Sequence, residues 1–222
     1  MTRRTRFRED GSVPRESECQ ASWSSTLRVA AVALALLALV VAALPPPVCS
    51  EPCPEDRANL VQNGDFESTP GAAPYLTLSA EDWIGAWRIR LGAVDLIDSS
   101  YWSPIDGRHS LDLDGSCGAG AIVQRIGVDP GRSYLLCYAV CGNVDGGPDV
   151  KTLEVRWEGV RVDSVAFDAS AASYRNMMWA RRQVVVKAAS LSADLEFRSL
   201  TEGCYGPVID EISLRELTPV LP

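Results

Sequence analysis

In "LVQNGDFEST", residues 60–69, the oxygen-bearing side chains of Asn63, Asp65 and Glu67 occupy every second position, and Leu60 and Phe66 take alternate ones. Successive side chains of a strand point to opposite faces, so the segment reads as a strand that buries Phe66 and lines its other face with acceptors. A hard cation or the hydroxyls of a sugar would use such a row; water is the simpler occupant. Near the other end, "PVIDEISL" places Val208, Asp210, Ile212 and Leu214 on one strand face, with a carboxylate interrupting an apolar row. A carboxylate taken out of water needs a partner; backbone N–H groups or Arg198 would serve, as would a cation.

Other residues allow other chemistry. The single histidine, His109 in "DGRHSLDLDG", is the only base a nucleophilic triad could use, and its neighbours fit a surface strand equally well. Asp112 and Asp114 lie two apart on one strand face, as a pair of glycosidase carboxylates ~5 to 9.5 Å apart would require. No E-x-D-x-E run accompanies them, so a non-catalytic protein is expected. Aromatic rings stack on the flat C–H face of a pyranose while polar neighbours fix its hydroxyls. The loop positions Trp83, Tyr101, Trp102 and Tyr205 are the candidates, against core packing for each; Trp87, Trp157 and Trp179 sit in strand-like runs and are assigned to the core.

The elements that must position these residues are short strands. "AWRIR", "AVDLID", "RHSLDLD", "AIVQRIGV", "SYLLCYAV", "KTLEVRWEG", "VRVDSVAF", "RQVVVKA", "ADLEFRS" and "VIDEISL" are alternating or β-branched runs separated by Gly, Pro, Asn and Asp. Turn signals every ~8 to 12 residues mark an antiparallel sandwich or barrel. No helical period survives after residue 50, and "GAGAIVQ" leads into a strand, which excludes a nucleotide-binding α/β unit.

Ahead of this domain, residues 1–28 are basic and 29–44, "VAAVALALLALVVAAL", carry no charged or hydrogen-bonding side chain. Sixteen residues are short of the roughly 20 that span a bilayer, so the run is an export signal or a membrane anchor. Residues 45–57 form a proline-rich extended linker, 58–217 the sandwich, and 218–222 a tail. Cys49, Cys53, Cys117, Cys137, Cys141 and Cys204 all follow the apolar run, so disulfides are expected. Cys137-x3-Cys141 could present two sulfurs on one face to zinc, but no second pair with ligand spacing follows. The 222-residue chain has a net charge of −8. Residues 1–50 hold six arginines and four acids, so the remainder keeps 15 basic and 25 acidic residues, a net charge of −10. That balance excludes nucleic acid and an anionic membrane surface as partners and suits a neutral ligand or a cation; the membrane enters only through the N-terminal segment.

In order along the chain, "LVQNGDFE", "GAWRI", "GAVDLID", "SYW", "DGRHSLDLDG", "GAIVQ", "PGRSYLLCYAVCGN", "KTLEV" and "EGCYGPVIDEISL" resemble the choice-of-anchor C family, which groups with the plant cell-wall domain-of-unknown-function 642 family. The resemblance covers about residues 59–216. It implies an extracellular all-β, galactose-binding-like jelly roll on a cell surface or wall, with no established catalytic activity. A polysaccharide or glycan is the partner it points to; a structural or adhesive protein recognising other proteins is the alternative. Related carbohydrate-binding jelly rolls often hold a structural calcium between first and last strands, and the matching positions here are Asp65 or Glu67 with Asp210. Calcium takes carboxylate and carbonyl oxygens at ~2.3 to 2.6 Å.

Overall fold

The computed structural model describes residues 53, 55–70, 73–115 and 117–217. The basic stretch, the apolar run 29–44, Cys49, most of the linker and the tail 218–222 lie outside the described residues. Twelve strands follow in order: β1 (Tyr75–Ser79), β2 (Trp83–Ile84), β3 (Trp87–Leu91), β4 (Ala93–Asp98), β5 (His109–Asp112), β6 (Ala121–Gly127), β7 (Ser133–Gly142), β8 (Val150–Trp157), β9 (Val160–Asp168), β10 (Ala180–Lys187), β11 (Ser192–Ser199) and β12 (Pro207–Glu216). They form two six-stranded sheets, in the orders β1-β4-β5-β12-β7-β10 and β2-β3-β6-β11-β8-β9. Every pairing is antiparallel. The protein is an all-β jelly-roll sandwich.

The ten runs named above become β3 to β12. Two strands lack a comparable signal: β1 is an edge strand whose residues alternate between exposed and half-buried, and β2 has two residues. Between the sheets, Tyr134, Leu136, Tyr138 and Val140 of β7 face Trp87, Ile122, Leu153, Val155, Leu195 and Phe197 of the opposite sheet. The Tyr138 and Phe197 rings meet edge to face at 5.1 Å, the offset arrangement that aromatic quadrupoles favour. A second, smaller core lies on the other face of the first sheet, where Ile97, Val208 and Cys141 are covered by Trp102 and Met177 from loops.

Residues 60–69 are not a strand. Asn63 and Phe66 have φ of 52° and 59°, and left-handed backbone breaks the alternation on which a row of acceptors depends. The acceptors are used locally: Ser68 N–H donates to Asn63 Oδ1 at 2.9 Å, Asn63 Nδ2 donates to Ile84 O at 3.3 Å, and Trp87 Nε1 donates to Asn63 O at 3.0 Å. The turn still buries Phe66 completely. It runs beside β12, with Leu60 N–H on Leu214 O and Ile212 N–H on Gly64 O, each at 2.9 Å. A Cβ on Gly64 would stand 2.0 Å from Ile212 O, so only glycine lets the two chains approach here.

The expected single face of β12 also differs. The register shifts between Asp210 and Ser213, and Glu211 takes φ 54°; this is a bulge, whose extra residue inverts the alternation. Ile209, Ile212 and Leu214 therefore join the main core, whereas Val208 belongs to the second core. Asp210 follows Val208 onto that covered face.

Candidate functional site

Direct partners in an antiparallel sheet share a face, and the registers set one row across the first sheet: Thr77, Asp95, Asp112, Val208, Cys141. A parallel row begins Tyr75, Ile97, Ser110. Loops cover these rows over β5, β12 and β7 and leave the β1–β4 end open. There Tyr75, Asp95, Ile97, Tyr101, Asn143, Asp145, Cys204 and Tyr205 line a pocket of about 450 Å³.

Each wall is fixed by a separate device. Tyr101 sits on the turn after β4, where Asp98 accepts the Ser100 N–H at 2.8 Å, the Tyr101 N–H (through its carbonyl) at 2.8 Å and Arg108 Nε at 2.5 Å. Hydrogen bonds from Ser100, helped by Arg108, hold the Asp98 carboxyl down to about 2 against its burial. Tyr205 follows Cys204, which is bonded to Cys117. Its ring lies over Gly146, where a Cβ would meet Tyr205 Cε2 at 2.4 Å. Asp145, on the loop after β7, accepts the Tyr101 hydroxyl at 2.9 Å and the Tyr174 hydroxyl. Behind it, Asp145 N–H donates to Asn143 Oδ1 at 2.8 Å and Asn143 Nδ2 to Asp112 Oδ2 at 2.6 Å. A chain of hydrogen bonds thus runs from the buried Asp112 to the tyrosines. Burial pushes the Asp112 carboxyl up to about 7 and, at the pocket wall, raises that of Asp95, with Thr77 Oγ donating to it at 2.5 Å.

Of the four aromatic candidates, Tyr101 and Tyr205 meet in this pocket. Trp102 does not: it is 2% exposed in the second core, its Nε1 donating to Ser110 Oγ at 2.9 Å. Trp83 is 59% exposed on β2, at the edge of the other sheet. Sequence reasoning missed Tyr75, Asp95, Asn143, Asp145 and Tyr174. The one usable signal was "CGNVDGGPD", an acceptor-rich loop between two strands.

The acids assigned to calcium are placed differently from a shared ligand set. Glu67 accepts Arg108 N–H at 2.5 Å and His109 N–H at 2.7 Å, and its Oε2 stands 3.0 Å from His109 Nδ1. Burial opposes its charge, but these bonds outweigh it and lower its carboxyl. Asp210 accepts Glu211 N–H at 2.7 Å and Ile105 N–H at 3.4 Å; burial pushes its carboxyl up to about 8. Asp65 is exposed and accepts Glu67 N–H at 3.3 Å. Among the described residues no group of three or more His, Cys, Asp or Glu side chains is placed to hold a metal ion. The donors facing Glu67 and Asp210 are N–H groups, which suit carboxylates and not a cation, so this set does not fit calcium as it stands.

The remaining candidates are structural. His109, 7% exposed, links Glu67 to the neighbourhood of Asp98. Asp112 and Asp114 are each 1% exposed and neither lines the pocket. Burial raises Asp114 to about 6; Ser199 and the Gly120 N–H favour its charged form without reaching it in hydrogen-bond geometry. Cys53 pairs with Cys137 and Cys117 with Cys204. Cys141, expected among the disulfide candidates, is instead a free thiol buried against the second core.

The molecule is thus a two-sheet jelly roll with one tyrosine-walled pocket at the open end of a sheet face. Residues 59–215 match the family described as protein of unknown function (DUF642), and the chain belongs to that family. Halomucin of Haloquadratum walsbyi is 34% identical over 169 residues, which are 72% of this chain and 2% of Halomucin. This chain therefore spans a small fraction of that relative. Among solved structures, a family 35 carbohydrate-binding module from Clostridium thermocellum is 15% identical, with 64% of this chain and 98% of that one covered at a TM-score of 0.43. The module TmCBM61, solved with β-1,4-galactotriose, is 14% identical over 72% and 99% of the two chains, TM-score 0.43. The CBM22-1 xylan-binding domain of Paenibacillus barcinonensis Xyn10C is 17% identical over 68% and 100%, TM-score 0.41.

Proposed function

We propose that this protein is an exported, non-catalytic glycan-binding module that seats a sugar unit in the tyrosine pocket. One observation carries the reading: Tyr75, Tyr101 and Tyr205 converge from three separate segments on one pocket with Asp95, Asn143 and Asp145. Rings for the C–H face and fixed oxygens and an amide for the hydroxyls are what a sugar site requires. The two disulfides support an oxidising compartment, and hence the export expected of residues 29–44. The burial of Asp112 and Asp114 away from the pocket supports a binding role over hydrolysis.

The test is a glycan array probed with the full chain, beside Tyr101→Ala and Tyr205→Ala. Binding to a glycan class that falls at least tenfold in both variants is the expected result. A blank array, with the variants indistinguishable from the parent, overturns the reading in favour of a surface protein that recognises proteins.

A further inference from the structure

We infer that the pocket selects a protonated amino sugar, a 2-amino-2-deoxyhexose unit, over neutral and acidic sugars; this rests on the glycan-binding reading above. The first observation is charge. Of the residues that line the pocket, Asp95 and Asp145 are the two acids, and neither a lysine nor an arginine is among them. Neither carboxylate takes part in a salt bridge among the described residues. Among the described residues the Asp95 side chain accepts one hydrogen bond, from the Thr77 hydroxyl on Oδ1, which leaves Oδ2 without a donor. The ammonium of Lys151 is engaged below the pocket: the residue is 1% exposed and its Nζ donates to Gly146 O at 2.6 Å.

The second observation is shape. Tyr75 and Tyr101 meet at 71° with centroids 6.0 Å apart, and Tyr101 and Tyr174 at 87° and 5.8 Å. Edge-to-face contact turns neighbouring rings in different directions, so Tyr75 and Tyr101 do not present one flat platform, and the negative face of an aromatic ring attracts a cation. The fold already places one ammonium this way, with Lys151 Nζ 5.9 Å from the Tyr205 centroid. Burial also raises the Asp95 carboxyl, as expected of an acid that lacks a counter-charge. An ammonium at C2 of a hexose supplies that charge, while its ring and hydroxyls meet the remaining tyrosine faces and Asn143. A uronic acid or sulfated sugar would place an anion beside two carboxylates, and like charges repel.

Calorimetric titration of the full chain at pH 6 with a β-1,4-linked glucosamine hexamer, its N-acetylated counterpart and a lysine hexapeptide tests this. The amino hexamer is expected to bind at least tenfold tighter than the acetylated one, and to weaken as salt is raised. Asp95→Asn should remove that preference, lowering the affinity for the amino hexamer at least tenfold, to that for the acetylated one. Tyr75→Ala, at a residue 47% exposed, should weaken both hexamers and so reports on the pocket independently of charge. Equal or tighter binding of the acetylated hexamer overturns amine selection while the glycan reading stands. Binding of the lysine peptide as tight as the amino hexamer overturns the choice of a sugar, and binding by neither hexamer overturns amine selection, the glycan reading being decided by the array.

Discussion

Asp210 offers a quantitative test of how this fold treats its buried acids. It is fully buried, accepts backbone N–H groups of Glu211 and Ile105, and burial pushes its carboxyl from the ordinary 3.8 up to about 8. Between pH 4 and 8 the folded protein therefore holds a proton that the unfolded chain has released. A group whose folded value is raised favours the folded state at low pH and loses that contribution as pH rises through the window. The slope is about 1.4 kcal/mol per pH unit for one proton, so Asp210 alone should lower stability by about 3 kcal/mol between pH 5 and 7. Asp112, raised to about 7, and Asp114, raised to about 6, act in the same direction. Asp98, held down to about 2, acts oppositely, but only below about pH 4. Urea unfolding at pH 5, 6, 7 and 8 should show stability falling throughout. Asp210→Asn keeps an oxygen for the same N–H donors and should reduce the slope by about one proton's worth, roughly 1.4 kcal/mol per unit. A profile that is flat or rises with pH, or an Asp210→Asn slope equal to the parent's, would refute a neutral Asp210.

Glu67→Ala removes the acceptor of the Arg108 and His109 N–H groups, and its unfolding free energy should fall by about 2–3 kcal/mol in urea titrations. Millimolar calcium should leave the thermal midpoint where EDTA leaves it, because N–H donors already face Glu67 and Asp210; a rise lost in Asp210→Ala would restore the calcium site. Cys141, whose thiol burial raises well above its usual range, should resist iodoacetamide in the folded state and react after unfolding, while mass spectrometry of the non-reduced protein finds Cys53–Cys137 and Cys117–Cys204. Phe66→Ala, which empties a fully buried site beside Trp87, should cost about 3–5 kcal/mol in the same titrations.

The strands were legible because strand alternation is a local property: "AVDLID" becomes β4 without change and "SYLLCYAV" lies within β7. The segments at the two ends of the sandwich, residues 60–69 and β12, were not, because both depart from alternation for reasons that lie elsewhere in the fold. Phe66 reaches the core from left-handed backbone held by Trp87, and Glu211 bulges where Gly64 passes under β12. Periodicity cannot register a contact between residues 64 and 212. The aromatic candidates divide on the same ground: Tyr101 and Trp102 are neighbours on one turn, and only the arrangement of loops sends the first to a pocket and the second beneath Met177.

The row Thr77, Asp95, Asp112, Val208, Cys141 explains why a site forms at this end of the sheet. Where the loops bearing Trp102 and Met177 cover it, the row is apolar, Val208 and Cys141 packing into the second core. Where the cover stops it is polar: Thr77 and Asp95 lie near solvent. Asp112 stands at the boundary, and its position there raises its carboxyl to about 7 despite the Asn143 amide. An apolar residue at 112 would avoid that desolvation, but it would also remove the acceptor that orients Asn143, and Asn143 holds the loop of Asp145. Asp145 in turn fixes two tyrosine hydroxyls. The buried acid thus destabilises the sheet through its desolvation and orders the pocket through its hydrogen bond with Asn143, which ties the pH dependence of folding to the geometry of the site.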